Sequence, residues 1–155
     1  LQMTDGYLDR PEATEALFVE DPAADGPGRT EWLRTGDVAR LESGGYPIII
    51  DRIDNMIVSG GENIYPEEVQ RALEDHDDVR EAGVVGLSDE TWGEVVAAAV
   101  VGADDLTEAD LEAHCKEHDT LAEFKRPRRY RFVDELPRSA TGTLRREEIA
   151  TLFED

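Results

Sequence analysis

The chain has 155 residues, 39% of them hydrophobic, enough for one core or two small ones and too few for a large multidomain enzyme. Asp and Glu number 37 against 16 Lys and Arg, a net charge of −21, so the chain as a whole is repelled by nucleic acid and by anionic membrane. The single cysteine, Cys115, excludes an internal disulfide, and no apolar run reaches the roughly 18 residues of a membrane span. A reducing, cytoplasmic location is expected. Only Lys116 and Lys125 are lysines; the other cations are arginine. Such acid-rich, lysine-poor usage resembles that of halophilic archaea, where salt screens self-repulsion. The chain begins at Leu1 with no signal segment after it, and reads as a piece of something longer.

In chain order, helix formers behind a proline predict a short helix over Pro11–Leu17, and the Pro/Gly-rich stretch Pro22–Arg29 predicts a surface loop. Ser43-Gly44-Gly45 is a turn into a β-branched strand, Tyr46–Ile50, with Met56–Val58 as its expected partner or neighbour. From Pro66, apolar residues at Val69, Ala72 and Leu73 give a helix face ending near Asp75, with Glu67 and Glu68 in its first turn. Ala82–Leu87 and Val95–Val101 are short continuous apolar runs, the pattern of buried strands. Thr107 and Asp110 form a capping-box start for a helix to about His118. Tyr130–Val133 is a further strand, and Arg145–Phe153 a closing polar helix. This order predicts an α+β class: a small mixed sheet flanked by two to three helices.

Several groups carry chemistry. Between Lys125 and Arg146 eight cations meet only Asp134 and Glu135, so the segment is +6 and the remainder −27. Such a patch suits a phosphate-bearing ligand, since the arginine fork grips phosphate with paired charge-assisted bonds; the alternative is neutralisation of the acidic surface around it. Ser59-Gly60-Gly61-Glu62-Asn63 is a turn that lets backbone approach a ligand, or simply a turn. It matches neither the Walker A nor the dinucleotide pattern. Thr35-Gly36-Asp37 places a carboxylate suited to two sugar hydroxyls, or is simply a turn. His114 and His118 lie one helical turn apart beside Cys115, but no second Cys or His cluster completes a zinc set, and no metal site is assigned.

Taken together these segments resemble the carboxyl-terminal part of adenylate-forming (AMP-binding) enzymes, of the acyl-CoA and aryl-CoA synthetase type. Gly6-Tyr7 with Pro11-Glu12-Ala13-Thr14, then Trp32-Leu33-Arg34-Thr35-Gly36-Asp37, then Asp51-Arg52-Ile53-Asp54-Asn55-Met56-Ile57, then Ser59 through Pro66 follow the family's order, and an ordered set is far more specific than any one motif. The resemblance implies that residues 1–52 are the β-rich tail of a large AMP-binding domain and 53–155 the small mobile domain. It implies a two-step ligase: ATP and a small-molecule carboxylic acid give an acyl-adenylate, and coenzyme A then displaces AMP. Asp37 and Arg52 would serve the nucleotide, Asp54 the hinge, and Gly60 and Gly61 the pantetheine channel. Trp92, Phe124, Arg126 and Arg128 would meet the nucleotide end of coenzyme A. Mg²⁺ is implied with ATP, at a site outside this chain, and the large domain is the implied partner. Fatty-acid metabolism is the expected setting.

One departure stands out. The family places a catalytic lysine after Pro-Arg-Thr-x-x-Gly, whereas Pro137-Arg138-Ser139-Ala140-Thr141-Gly142 leads here to Thr143, which supplies no positive charge. No catalytic residue is therefore assigned. Lacking the ATP-gripping loop, the chain is expected to be inactive alone. A non-catalytic remnant or a nucleotide- or partner-binding module is the alternative. A peptide-synthetase adenylation domain is disfavoured, as no carrier domain precedes the end at Asp155.

Overall fold

The computed structural model describes residues 4–20 and 31–154; the loop expected over Pro22–Arg29 lies outside them. The chain divides into two compact units, Leu1–Asp37 and Val38–Asp155. In the first, α1 (Pro11–Leu17) is followed by β1 (Phe18–Glu20) and β2 (Glu31–Leu33), which pair antiparallel with Val19 opposite Trp32. Pro11 opens α1 at the position where a missing N–H costs nothing.

The second unit starts inside β3 (Asp37–Leu41), after Asp37, and continues with β4 (Pro47–Arg52); the two strands pair around the Ser43–Gly45 turn, where the Gly45 N–H donates to Glu42 O at 3.0 Å. A 3₁₀ turn over Ile53–Asn55 leads to β5 (Ile57–Ser59). The expected pairing of Met56–Val58 with the preceding strand is corrected: β5 pairs instead with β6 (Glu62–Ile64) and touches the start of β8 at Gly93. The reason is the two-residue link Gly60-Gly61. Both have positive φ, 59° and 87°, as the tight hairpin turn that suits strand twist requires.

α2 (Pro66–Glu74) then precedes β7 (Val79–Asp89) and β8 (Gly93–Gly102), a long antiparallel pair. After α3 (Glu108–Glu117), β9 (Arg129–Phe132) returns parallel to β8, Ala97 opposite Arg129, and α4 (Arg146–Thr151) closes the unit. β8 is buried on both faces, which is why its sequence is a continuous apolar run rather than an alternating one. Val96, Ala98 and Val100 pack with Leu73 of α2 and Leu111 of α3; Ala97, Ala99 and Val101 pack with Leu136 and Ile149 on the other side. α4 comes so close to β7 that a Cβ on Gly83 would lie 2.7 Å from Ile149 Cδ1. The unit is therefore a mixed five-stranded sheet between helices, the expected α+β class.

Local signals held at the helix starts. α3 has the capping box foreseen from Thr107 and Asp110: the Asp110 N–H donates to Thr107 Oγ1, and the Thr107 N–H to Asp110 Oδ2 at 3.0 Å. The Thr107 hydroxyl first, and then its backbone N–H, hold the Asp110 carboxyl below the usual 3.8. A carboxyl lowered on folding stabilises the fold above its unfolded value, and that contribution is lost as pH falls through the folded value. Asp110→Ala should therefore lower the melting temperature at pH 7, with the gap to wild type narrowing below pH 3.8. Thermal melts by circular dichroism from pH 2 to 7 read this; a gap independent of pH contradicts the cap.

Candidate functional site

Four of the eight cations between Lys125 and Arg146 meet carboxylates nearby. Lys125 Nζ lies 2.7 and 2.8 Å from the two Glu68 oxygens, and Arg138 Nη2 2.8 Å from Glu81 Oε2; Arg145 pairs with Glu148, and Arg146 lies 3.8 Å from Glu67 while donating to Val84 O at 2.8 Å. These cations neutralise local carboxylates. Arg126 and Arg128 differ: among the described residues neither makes an ion pair, and Arg126 Nε is buried with no hydrogen-bond partner. In a chain with 37 acidic and 16 basic residues, these two arginines, separated by one residue, keep donors with the chemistry to hold an anion other than a side-chain carboxylate.

Backbone geometry builds this place. Arg126 caps the 3₁₀ turn Glu123–Lys125, and the Arg128 N–H donates to Val96 O at 2.8 Å, fixing the start of β9 beside β8. Arg126 and Arg128 line a cavity of about 340 Å³ with Tyr130, Cys115 and Lys116. Cys115 is fully buried, its thiol pushed up by burial and contacted by the Tyr130 hydroxyl at 4.0 Å. It is a packing group, because a thiol so placed is little ionised. Burial also pushes the Tyr130 phenol up strongly.

Trp92 stands at the β7–β8 hairpin, 43% exposed. Asp89 Oδ1 accepts from the N–H groups of Thr91 at 2.9 Å and Trp92 at 3.0 Å, and the Trp92 bond is the main reason that the Asp89 carboxyl lies below its usual value. The Gly60 N–H donates to Trp92 O at 2.9 Å, and a Cβ on Gly60 would come within 2.9 Å of the indole Cε3. The Arg128 guanidinium lies over the same ring, 4.7 Å from its centroid. Gly60, Trp92 and Arg128 are thus one contact group, drawn from three distant parts of the sequence. Gly61 completes the turn. Phe124 is 42% exposed with Lys125 Nζ 5.7 Å from its ring centroid, and it does not line the cavity.

A second cleft, about 990 Å³, brings Arg52 together with Thr143. Here Asp51, 5% exposed and not singled out from the sequence, is the organising residue. Its Oδ1 accepts from the Arg52 N–H at 2.6 Å and from Asn55 Nδ2 at 2.7 Å, and its Oδ2 accepts from the Glu67 N–H at 3.0 Å in the first turn of α2. Arg52 Nη2 lies 3.2 Å from Asp54 Oδ2, an exposed pair of small energetic weight. Thr143 is exposed on a hairpin loop closed by the Arg138–Leu144 bridge. The Ser139 N–H donates to Thr143 O at 2.8 Å, and Arg138 Nη1 donates to Gly142 O at 2.7 Å. Main-chain bonds and Arg138 hold the loop, not the threonine side chain. Asp37 belongs to the first unit, where its N–H donates to Thr35 Oγ1 at 3.2 Å.

The histidines join α2 to α3. His114 Nε2 lies 2.7 Å from Ala72 O and His118 Nε2 3.1 Å from Asp75 Oδ2, while the His76 and His114 rings meet edge-on at 5.1 Å. Among the described residues no three His, Cys, Asp or Glu side chains are placed to hold a metal ion, and no helix is long and apolar enough to cross a membrane.

The chain is 41% identical over 153 residues to the 2-succinylbenzoate–CoA ligase of Bacillus mycoides (strain KBAB4), a match that covers 99% of this chain and 29% of that protein. The corresponding ligase of Bacillus pumilus (strain SAFR-032) is 42% identical over 144 residues, 93% of this chain and 27% of that one. Among solved structures, the o-succinylbenzoate CoA synthetase of Bacillus subtilis in complex with its acyl-adenylate intermediate superposes with a TM-score of 0.79 at 38% identity, covering 93% of this chain and 27% of that one. ATP-bound MatB from Rhodopseudomonas palustris gives 0.81 at 30% identity, over 97% and 28%. The chain thus spans less than a third of the length of the curated relatives it matches. Residues 68–143 match the family described as the AMP-binding enzyme C-terminal domain, and the helix-flanked sheet of the second unit matches the fold of the C-terminal domain of adenylate-forming enzymes.

Proposed function

We propose that this chain is the carboxyl-terminal part of an AMP-forming carboxylate–CoA ligase, and that its small domain delivers coenzyme A to an acyl-adenylate held by a large domain outside this chain. The observation that carries the reading is the pair Arg126 and Arg128, left without carboxylate partners at the rim of a cavity in an otherwise acid-rich chain. Their forks suit the 3′-phosphate of coenzyme A, Trp92 and Phe124 suit its adenine, and the Gly60-Gly61 turn suits close passage of the pantetheine arm. In the reaction, a carboxylate oxygen attacks the α-phosphorus of ATP and expels pyrophosphate. The coenzyme thiolate then attacks the acyl carbon, and the bond to AMP breaks.

The proposed boundary lies between residues 52 and 53, with Asp54 as the hinge. Turning there requires Asp51 to release the Glu67 N–H from Oδ2 and Asn55 Nδ2 from Oδ1, hydrogen bonds that join residues on either side of the hinge in this pose. Asp37 and Arg52 would serve the nucleotide. Mg²⁺ would act with ATP in the large domain; no group of three ligating side chains among the described residues fits it, and no step is routed through it. The succinylbenzoate ligases among the relatives favour an aryl acid over the fatty acid expected at first.

The test joins the chain to the large domain of the Bacillus subtilis synthetase and supplies 2-succinylbenzoyl-adenylate and coenzyme A, with thioester measured by chromatography. Thioester above the level given by the large domain alone is expected. Its absence from low to multimolar salt rejects the proposal in favour of a remnant that binds without catalysing.

A further inference from the structure

The contact group at Trp92 has a feature that simple stacking on adenine does not use. The Cε3–Cζ3 part of the indole is packed by the Gly60 turn, and the Arg128 guanidinium lies over the ring at 4.7 Å. An incoming base finds one face of the ring already occupied by a cation, with the residue 43% exposed. Arg128 is held there without an ion pair; its charge acts weakly on Asp89, whose Oδ1 is occupied by two backbone N–H groups. Its side chain is free to leave, whereas its backbone is fixed by the bond to Val96 O.

We propose that Arg128 is a specificity-determining residue that covers Trp92 until a phosphate draws it away. The proposal rests on the coenzyme reading above and adds a second form of discrimination to it. A nucleotide with a 3′-phosphate offers Arg128 a better partner than the indole face, so the guanidinium swings to the phosphate and the base takes its place. A nucleoside without that phosphate must displace the cation from the ring and gives it nothing in return. Arg128 thus favours the phosphorylated ligand and opposes the bare one, and specificity arises from both.

The two effects have opposite signs on removing Arg128. An exposed cation–π contact corresponds to roughly a two- to fivefold change in affinity, and a charge-assisted phosphate contact to roughly ten- to hundredfold. The 155-residue chain carrying Trp32→Phe keeps Trp92 as its only tryptophan, so indole emission reports the site alone. Adenosine and adenosine 3′,5′-bisphosphate are titrated against this protein and against the same protein with Arg128→Ala or Arg128→Gln. Both variants are expected to bind adenosine about two- to fivefold more tightly and the bisphosphate about ten- to hundredfold more weakly. Acrylamide should also quench Trp92 more efficiently in the unliganded variants.

Adenosine affinity that is unchanged or weaker in both variants, with bisphosphate affinity reduced, overturns the covering role and leaves the coenzyme reading standing. Bisphosphate affinity that is unchanged removes Arg128 from the phosphate and overturns the discrimination. Failure of the parent protein to bind the bisphosphate at all rejects both this proposal and the coenzyme site on which it rests.

Discussion

Thr143→Lys should raise the adenylation half-reaction on the order of 10²–10³-fold, the usual effect of a preorganised charge donor at a developing anion. The structure makes this substitution mild for the fold. Thr143 is exposed, its carbonyl accepts from the Ser139 N–H, its N–H donates to Ser139 Oγ at 3.2 Å, and Arg138 pins Gly142 from the side. None of these bonds uses the threonine hydroxyl, so lysine enters a loop whose path is already set. Arg145, close by in sequence, is engaged with Glu148, and its planar fork is a different donor from a lysine point charge. Pyrophosphate exchange in the joined enzyme measures the adenylation step, and thioester formation from supplied acyl-adenylate measures the other. A gain in exchange alone is expected. No gain, or an equal gain in both, contradicts the assignment of Thr143 to the lysine's place.

Arg126→Ala should raise the KM for coenzyme A about ten- to hundredfold while leaving the KM for dephospho-coenzyme A unchanged. The side chain has a buried Nε without a partner, so its desolvation is uncompensated until a ligand arrives, and an arriving phosphate gains the full bond. Truncation should cost the fold little, because no ion pair is broken. A nonspecific loss of packing would affect both thiols alike, so the difference between them separates recognition of the 3′-phosphate from damage to the domain. Equal losses with both thiols contradict the phosphate contact.

The architecture was legible where a local signal and the tertiary fold agree. The unbroken apolar run of β8 follows from burial on both faces, and α2 and α3 follow from Pro66 and from the Thr107–Asp110 box. Two short strands were not legible: Asp37–Leu41 does not alternate apolar with polar residues, Glu62–Ile64 has a single apolar residue, and both exist because a hairpin partner pairs with them. At the site, the glycine turn could be read, since only glycine takes two consecutive positive φ values at little cost. The sharing-out of cations could not. Lys125 and Arg126 are neighbours in sequence, yet Glu68, 57 residues before Lys125, neutralises the first and leaves the second unpaired. Likewise the stack of Arg128 on Trp92 depends on β9 returning parallel beside β8, which no spacing in the sequence encodes. Asp51 was hidden because its carboxylate acts on neutral donors, the backbone N–H groups of Arg52 and Glu67 and the Asn55 amide, rather than on a cationic side chain that the sequence pattern picks out.

On the proposed function, Arg126 and Arg128 recognise the phosphate that distinguishes coenzyme A from its dephosphorylated form. Calorimetric titration of the 155-residue chain with each thiol tests it directly. Saturable binding of coenzyme A is expected, at least about tenfold tighter than that of dephospho-coenzyme A, with the preference abolished in the Arg126→Ala, Arg128→Ala double variant. Equal affinity for the two thiols in the unaltered chain, or a preference that survives the loss of both arginines, would contradict it.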